Sequence, residues 1–131
     1  MAGSAREGAP RVLHLHSTFA AGGKELRSVQ LINAFGESLR HAIVSADPGQ
    51  YGAAEHIEQG PEVRYPRDFP SLQGKPMPRR LQKLARAMQP YDLVLTYNWG
   101  AMDAVMAHTL FKDALGLPPL MANASGTAAL L

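Results

Sequence analysis

Apolar positions along this chain switch between two spacings, and the switches divide it into elements. Arg11–His16 is apolar at Val12, Leu13 and Leu15, the composition of a strand covered on both faces in a parallel sheet. A turn of small residues, Thr18–Gly23, follows. Lys24–Leu39 then repeats Leu26, Val29, Ile32, Phe35 and Leu39 at helical spacing, which predicts a helix lying on the sheet. His41–Ala46 reads as a second strand centred on Ile43 and Val44, closed by the turn residues Asp47-Pro48-Gly49. Residues 50–60 read as a short helix or loop and Glu62–Tyr65 as a short third strand. Four prolines between Pro66 and Pro78 predict an irregular surface excursion. Pro78–Met88 follows as a helix with Leu81, Leu84, Ala85 and Met88 inward, its proline suited to the first turn. Tyr91–Thr96 is the next strand. Ala101–Leu115 is a helix carrying Ala101, Val105, His108 and Phe111 on one side, with Gly116 as its cap. Leu117–Ala122 begins a last strand. The alternation predicts an α/β domain whose parallel sheet has helices on both faces and right-handed crossovers.

The chain has 131 residues, 46% of them hydrophobic and 18% charged, which fits one globular domain with a sizeable core. The expected organisation is a disordered leader over residues 1–10, the α/β domain over 11–122 and an irregular tail over 123–131. With no cysteine, a disulfide framework, a thiolate metal site and a cysteine nucleophile are all excluded. The first ten residues carry no signal-peptide apolar stretch, and no apolar run reaches the ~20 residues that span a bilayer. A cytoplasmic location is expected. Net charge is only +2, yet Arg64, Arg67, Lys75, Arg79, Arg80, Lys83 and Arg86 share one stretch with Asp68 as its sole acid. Segment 64–86 is therefore either a solvated loop and helix face or a surface for phosphates, those of a membrane contacted peripherally or of a polyprenyl-linked sugar. Without interleaved aromatic residues, nucleic acid is not the expected partner.

Chemistry concentrates where strands hand over to helices. In such sheets ligands bind beyond the carboxyl ends of the strands, near the point where strand order reverses. Gly22 and Gly23 would let a phosphate or a sugar approach the backbone at a helix N-terminus, and Lys24 would add charge there or point to solvent. Neither the dinucleotide nor the phosphate-loop glycine pattern is present. His14 and His16 alternate onto one face of the first strand. Packing is favoured over metal binding, because no nearby Cys or carboxylate completes a ligand set. His16, nearest the strand's carboxyl end, is retained as a possible ligand contact. Asn98 and Trp99 either line a pocket or form a turn with a half-buried ring. No Ser/His/Asp set and no paired hydrolytic carboxylates are recognisable.

Three segments together resemble a known family. Arg11-Val-Leu-His-Leu, Gly22-Gly23-Lys-Glu-Leu-Arg-Ser-Val-Gln-Leu-Ile and Tyr91-Asp-Leu-Val-Leu-Thr-Tyr-Asn-Trp-Gly100 are similar to the N-terminal domain of retaining glycosyltransferases of family 4. The resemblance covers roughly residues 11–120. It implies a Rossmann-like domain, the acceptor-side half of a GT-B fold. It also implies a nucleotide-sugar donor, a glycan or lipid-linked acceptor, and no cofactor or metal beyond the substrates. Gly22, Gly23, Lys24 and His16 would border the cleft near the donor diphosphate, and Asn98 and Trp99 the acceptor. The family's two donor-domain glutamates with seven residues between them have no counterpart in this sequence. A truncated copy without turnover of its own is therefore expected. A stand-alone glycan- or phosphate-binding half-domain and a small flavodoxin-like domain are the alternatives.

Overall fold

The structure, a computed structural model, describes residues 8–16, 19, 23–46, 51–72, 77–97, 102–124 and 127–130. Arg11–His16 forms strand β1, buried from Val12 to His16 because both its faces are covered. Helix α1, Gly23–Phe35, returns the chain to β2, Arg40–Ser45. A 3₁₀ turn, Gly52–His56, leads to the short β3, Glu62–Arg64. Helix α2, Pro78–Met88, precedes β4, Leu93–Thr96. Helix α3, Met102–Leu115, precedes β5, Leu120–Ala124, and β6, Thr127–Leu130.

These strands form one sheet in the order β3-β2-β1-β4-β5-β6. The first five are parallel, and β6 runs antiparallel on β5. The fold is an α/β, Rossmann-like sheet. The chain steps from β1 toward one edge and then, at β4, toward the other. Right-handed crossovers consequently put α1 on one face and α2 with α3 on the opposite face. A flavodoxin-like order would place β1 between β2 and β3. Here β1 lies between β2 and β4, which rules that alternative out.

Both faces carry their own core. Leu13, Leu15, Ala42, Val44, Val94 and Leu120 point from the sheet to Leu81, Leu84, Ala85 and Met88 of α2 and to Ala104 and Ala107 of α3. Phe19, Ile43 and Ala53 join Val29 and Ile32 of α1 on the other side. The α2 boundaries coincide with the apolar spacing. Its inward residues are buried while Arg79, Gln82, Lys83 and Arg86 are exposed. Gly116 ends α3 at φ +61, and the Leu117 amide donates to the Lys112 carbonyl at 2.9 Å, the paired closure of a left-handed helix cap.

Several boundaries differ from the sequence reading. Helix α1 stops at Phe35 because Gly36 adopts φ +52 and Gly36–Ser38 forms a 3₁₀ turn. Its sheet-facing side is built from Glu25, Ser28, Val29 and Ile32, and Phe35 is half exposed. Strand β5 begins at Leu120, after the prolines that cannot donate to a ladder. The leader is ordered at its end: Ala9 is buried, and the Ala9 and Pro10 carbonyls accept hydrogen bonds from Arg40. The tail is not irregular throughout, because Thr127–Leu130 pairs with Met121–Ala124. Small uncharged residues carry no alternation to announce a strand, and the free edge of β5 supplies the pairing partner.

Candidate functional site at the carboxyl rim of the sheet

The order of the sheet reverses between β1 and β4, so their carboxyl ends emerge side by side. The Tyr97 amide donates to the Leu15 carbonyl at 3.2 Å, and the Ala46 amide donates to the His16 carbonyl at 2.8 Å. At this junction the His16 ring stacks on Tyr97, with centroids 4.3 Å apart and planes within 4°. Phe19 closes over His16 at 4.9 Å and meets Tyr51 at 6.3 Å, and Tyr51 meets Tyr65 edge-on at 5.4 Å. A file of aromatic rings thus runs along the rim from the reversal point to the ends of β2 and β3.

That file ends at a groove of about 630 Å³ over the end of β2. Tyr51, Tyr65 and Phe69 supply ring surfaces, while Ser45, Arg67 and Ser71 supply polar groups. The Tyr51 hydroxyl accepts from the Ser45 amide at 3.1 Å, which fixes its ring against the strand end. Burial and the neighbouring Tyr51 push the Tyr65 phenol upward, so it stays protonated. Aromatic faces beside hydroxyl and guanidinium donors can clasp a sugar by its apolar face and its hydroxyls.

Beneath the rim, on the α1 side, lies a buried polar cluster. His14 Nδ1 is 2.8 Å from the Tyr97 hydroxyl and 3.3 Å from the Ser28 hydroxyl, and His14 Nε2 is 2.9 Å from His41 Nδ1. Burial lowers His14 well below the usual imidazole range, with His41 and His16 adding repulsion. Burial alone brings His16 down to about 3 and His41 down to about 4. It also pushes the Tyr97 phenol up to about 12, against the opposing effect of the Ser28 hydrogen bond. The cluster is neutral at physiological pH and holds no charge to offer a ligand. Among the described residues no group of His, Cys, Asp or Glu could hold a metal ion.

The residues singled out from the sequence fare unequally. Gly23 opens α1 at the rim and Lys24 follows in its first turn. His14 and His16 do share a face of β1. His16 is fully buried beneath Phe19 and against Tyr97, where it packs under the rim. Gly22, Asn98 and Trp99 lie outside the described residues. The basic stretch divides by role. Arg67 lines the groove, and Arg80 is tied to the Asp103 carboxylate and the Ser71 carbonyl. Arg79, Lys83 and Arg86 remain on the exposed face of α2. No described helix is long and apolar enough to cross a membrane. Tyr51, Tyr65 and Phe69 were not foreseen. Their signal was position: each follows a strand's carboxyl end, within proline-punctuated segments that read only as loop. Comparison of the chain with protein-family models, with curated proteins and with solved structures finds no match.

Proposed function

We propose that this domain binds a glycan or lipid-linked sugar at the carboxyl rim, as the acceptor-side half of a retaining, GT-B-type glycosyltransferase of family 4. The observation that carries this reading is the ring-walled groove at the strand ends, in a sheet that reverses order between β1 and β4. The sugar packs against Tyr65 and Phe69 and bonds to Ser45, Ser71 and Arg67. In the reading drawn from the resemblance, Gly22, Gly23 and Lys24 border the departing diphosphate, and Asn98 and Trp99 complete the acceptor side. Backbone amides there would stabilise the charge that develops on the leaving group. The nucleotide sugar itself is held by a second domain. The exposed Arg79, Lys83 and Arg86 on α2 suit peripheral contact with an anionic membrane from the cytoplasmic side.

Titration calorimetry with neutral oligosaccharides and with uridine and guanosine diphosphate sugars tests this. The expected result is saturable glycan binding, weakened about tenfold by Tyr65→Ala, the scale of losing one good ring contact. The reading fails if nucleotide sugars bind and glycans do not, or if Tyr65→Ala leaves glycan affinity unchanged.

A further inference from the structure

The opposite, amino end of the sheet carries arginines on neighbouring strands. Arg11 opens β1 and Arg40 opens β2, and the register sets them directly side by side. Alternation puts both on the α2 side, since Leu13 and Ala42, two residues on, belong to that core. Like charges on adjacent strands destabilise a sheet unless something lies between them. Next in the row, opposite Arg40, is Glu62, whose carboxylate is shared with Arg64 at 3.8 Å.

Arg11 and Arg40 are held by neutral partners. Arg11 Nη1 donates to the Pro90 carbonyl at 3.2 Å, and its guanidinium lies 4.9 Å from the centre of the Tyr91 ring. Arg40 Nε donates to the Ala9 carbonyl at 2.9 Å. Among the described residues no carboxylate forms an ion pair with either. Asp92 sits close by, but its carboxylate accepts from the Arg11 backbone amide. Both guanidiniums are thus positioned by neutral groups. With Arg64, Glu62 and Tyr91 they line a groove of about 620 Å³.

We propose that this amino-end groove is a binding site for a phosphoryl group. Among the lining side chains three guanidiniums face one carboxylate, with Asp92 beside the Arg11 amide and Asp68 acting on Tyr91, and guanidinium donors match the oxygens of a phosphate monoester. Planar forks on neighbouring strands suit two phosphate oxygens at once. The Tyr91 ring that backs Arg11 forms a wall for whatever the phosphate is attached to. The site lies at the far end of the sheet from the carboxyl-rim groove and is independent of the sugar reading. The same chemistry is offered by a soluble phosphate ester and by the headgroup of phosphatidic acid.

The test uses the full chain with inorganic phosphate, with a soluble sugar phosphate, and with phosphatidylcholine vesicles containing or lacking phosphatidic acid. Thermal melts and calorimetry at low salt are read alongside vesicle co-sedimentation. Phosphate or its soluble ester is expected to raise the melting temperature saturably, by mass action. Arg40→Gln should weaken the affinity about tenfold or more, the usual scale for a charged hydrogen bond. Arg64→Gln repeats the test at a side chain that is 75% exposed, where folding is not at issue. Lys112→Gln, exposed on α3, should change nothing. Binding to phosphatidic acid vesicles without response to the soluble ligands would identify the lipid as the source. Soluble binding without co-sedimentation would identify the ester. Absence of response in every arm overturns the site, as does binding lost equally in Lys112→Gln.

Discussion

Replacing His16 by phenylalanine probes the least compensated feature of the core. The His16 ring is fully buried, and neither ring nitrogen has a hydrogen-bond partner among the described residues. Burial lowers it from 6.5 to about 3, so the folded chain refuses a proton that the unfolded chain accepts. The sign follows. Stability is full above the unfolded value of 6.5 and falls as pH drops from there toward about 3, because the unfolded state binds the extra proton. Between roughly pH 7.5 and pH 5 this one residue removes about 2 kcal/mol, at about 1.4 kcal/mol per pH unit once below the unfolded value. His14 and His41 are lowered too and act in the same direction. A domain holding about 5–15 kcal/mol loses a large share of its stability this way. Phenylalanine keeps a flat ring against Tyr97 and takes no proton. Urea denaturation of both proteins at stepped pH should show a steep acid loss in the parent, with a slope shallower by one proton in His16→Phe. The variant should also match or exceed the parent near neutrality, since two unpartnered nitrogens are gone. A parent midpoint that is flat across this range, or a variant with an unchanged slope, would refute the reasoning.

Other consequences are measurable by the same denaturation. Leu84→Ala removes a fully buried side chain from beneath α2 and should cost about 2–5 kcal/mol. Asp103→Asn removes the charge that pairs Arg80 of α2 with α3, a bridge whose side chains are only 18% and 21% exposed. A loss of about 1 kcal/mol is expected, shrinking at high salt. Gly116→Ala forces a side chain into a left-handed cap at φ +61 and should cost about 1 kcal/mol, although an added methyl meets nothing within 4 Å. Tyr97→Phe leaves His14 Nδ1 with only the longer Ser28 contact and should cost about 1–2 kcal/mol while leaving helix content unchanged.

Legibility varied with the range of the interactions involved. Strand β1 and helix α2 coincide with their sequence readings to the residue, because an apolar run and a period of 3.6 are local signals. The apolar spacing of helix α1 runs four residues past its end at Phe35. Phe35 and Leu39 continue the apolar spacing, and only the conformation of Gly36 interrupts it. That His14 and His16 share one face of β1 follows from alternation along the strand. That His14 bonds to a tyrosine 83 positions away does not. The aromatic groove was missed for a similar reason. Tyr51, Tyr65 and Phe69 sit in three different loop positions and converge only because β2 and β3 lie side by side.

Periodicity and punctuation along the chain were enough to determine an α/β domain, strand β1, and helix α2 with its inward face, since each rests on residues a few positions apart. Lateral strand order, the neighbouring arginines at one end, the rings at the other and the pairing of β6 were decided by tertiary structure. Each of these depends on which strand ends become neighbours. That is set by the collective burial of two sheet faces, a property no short window of sequence contains.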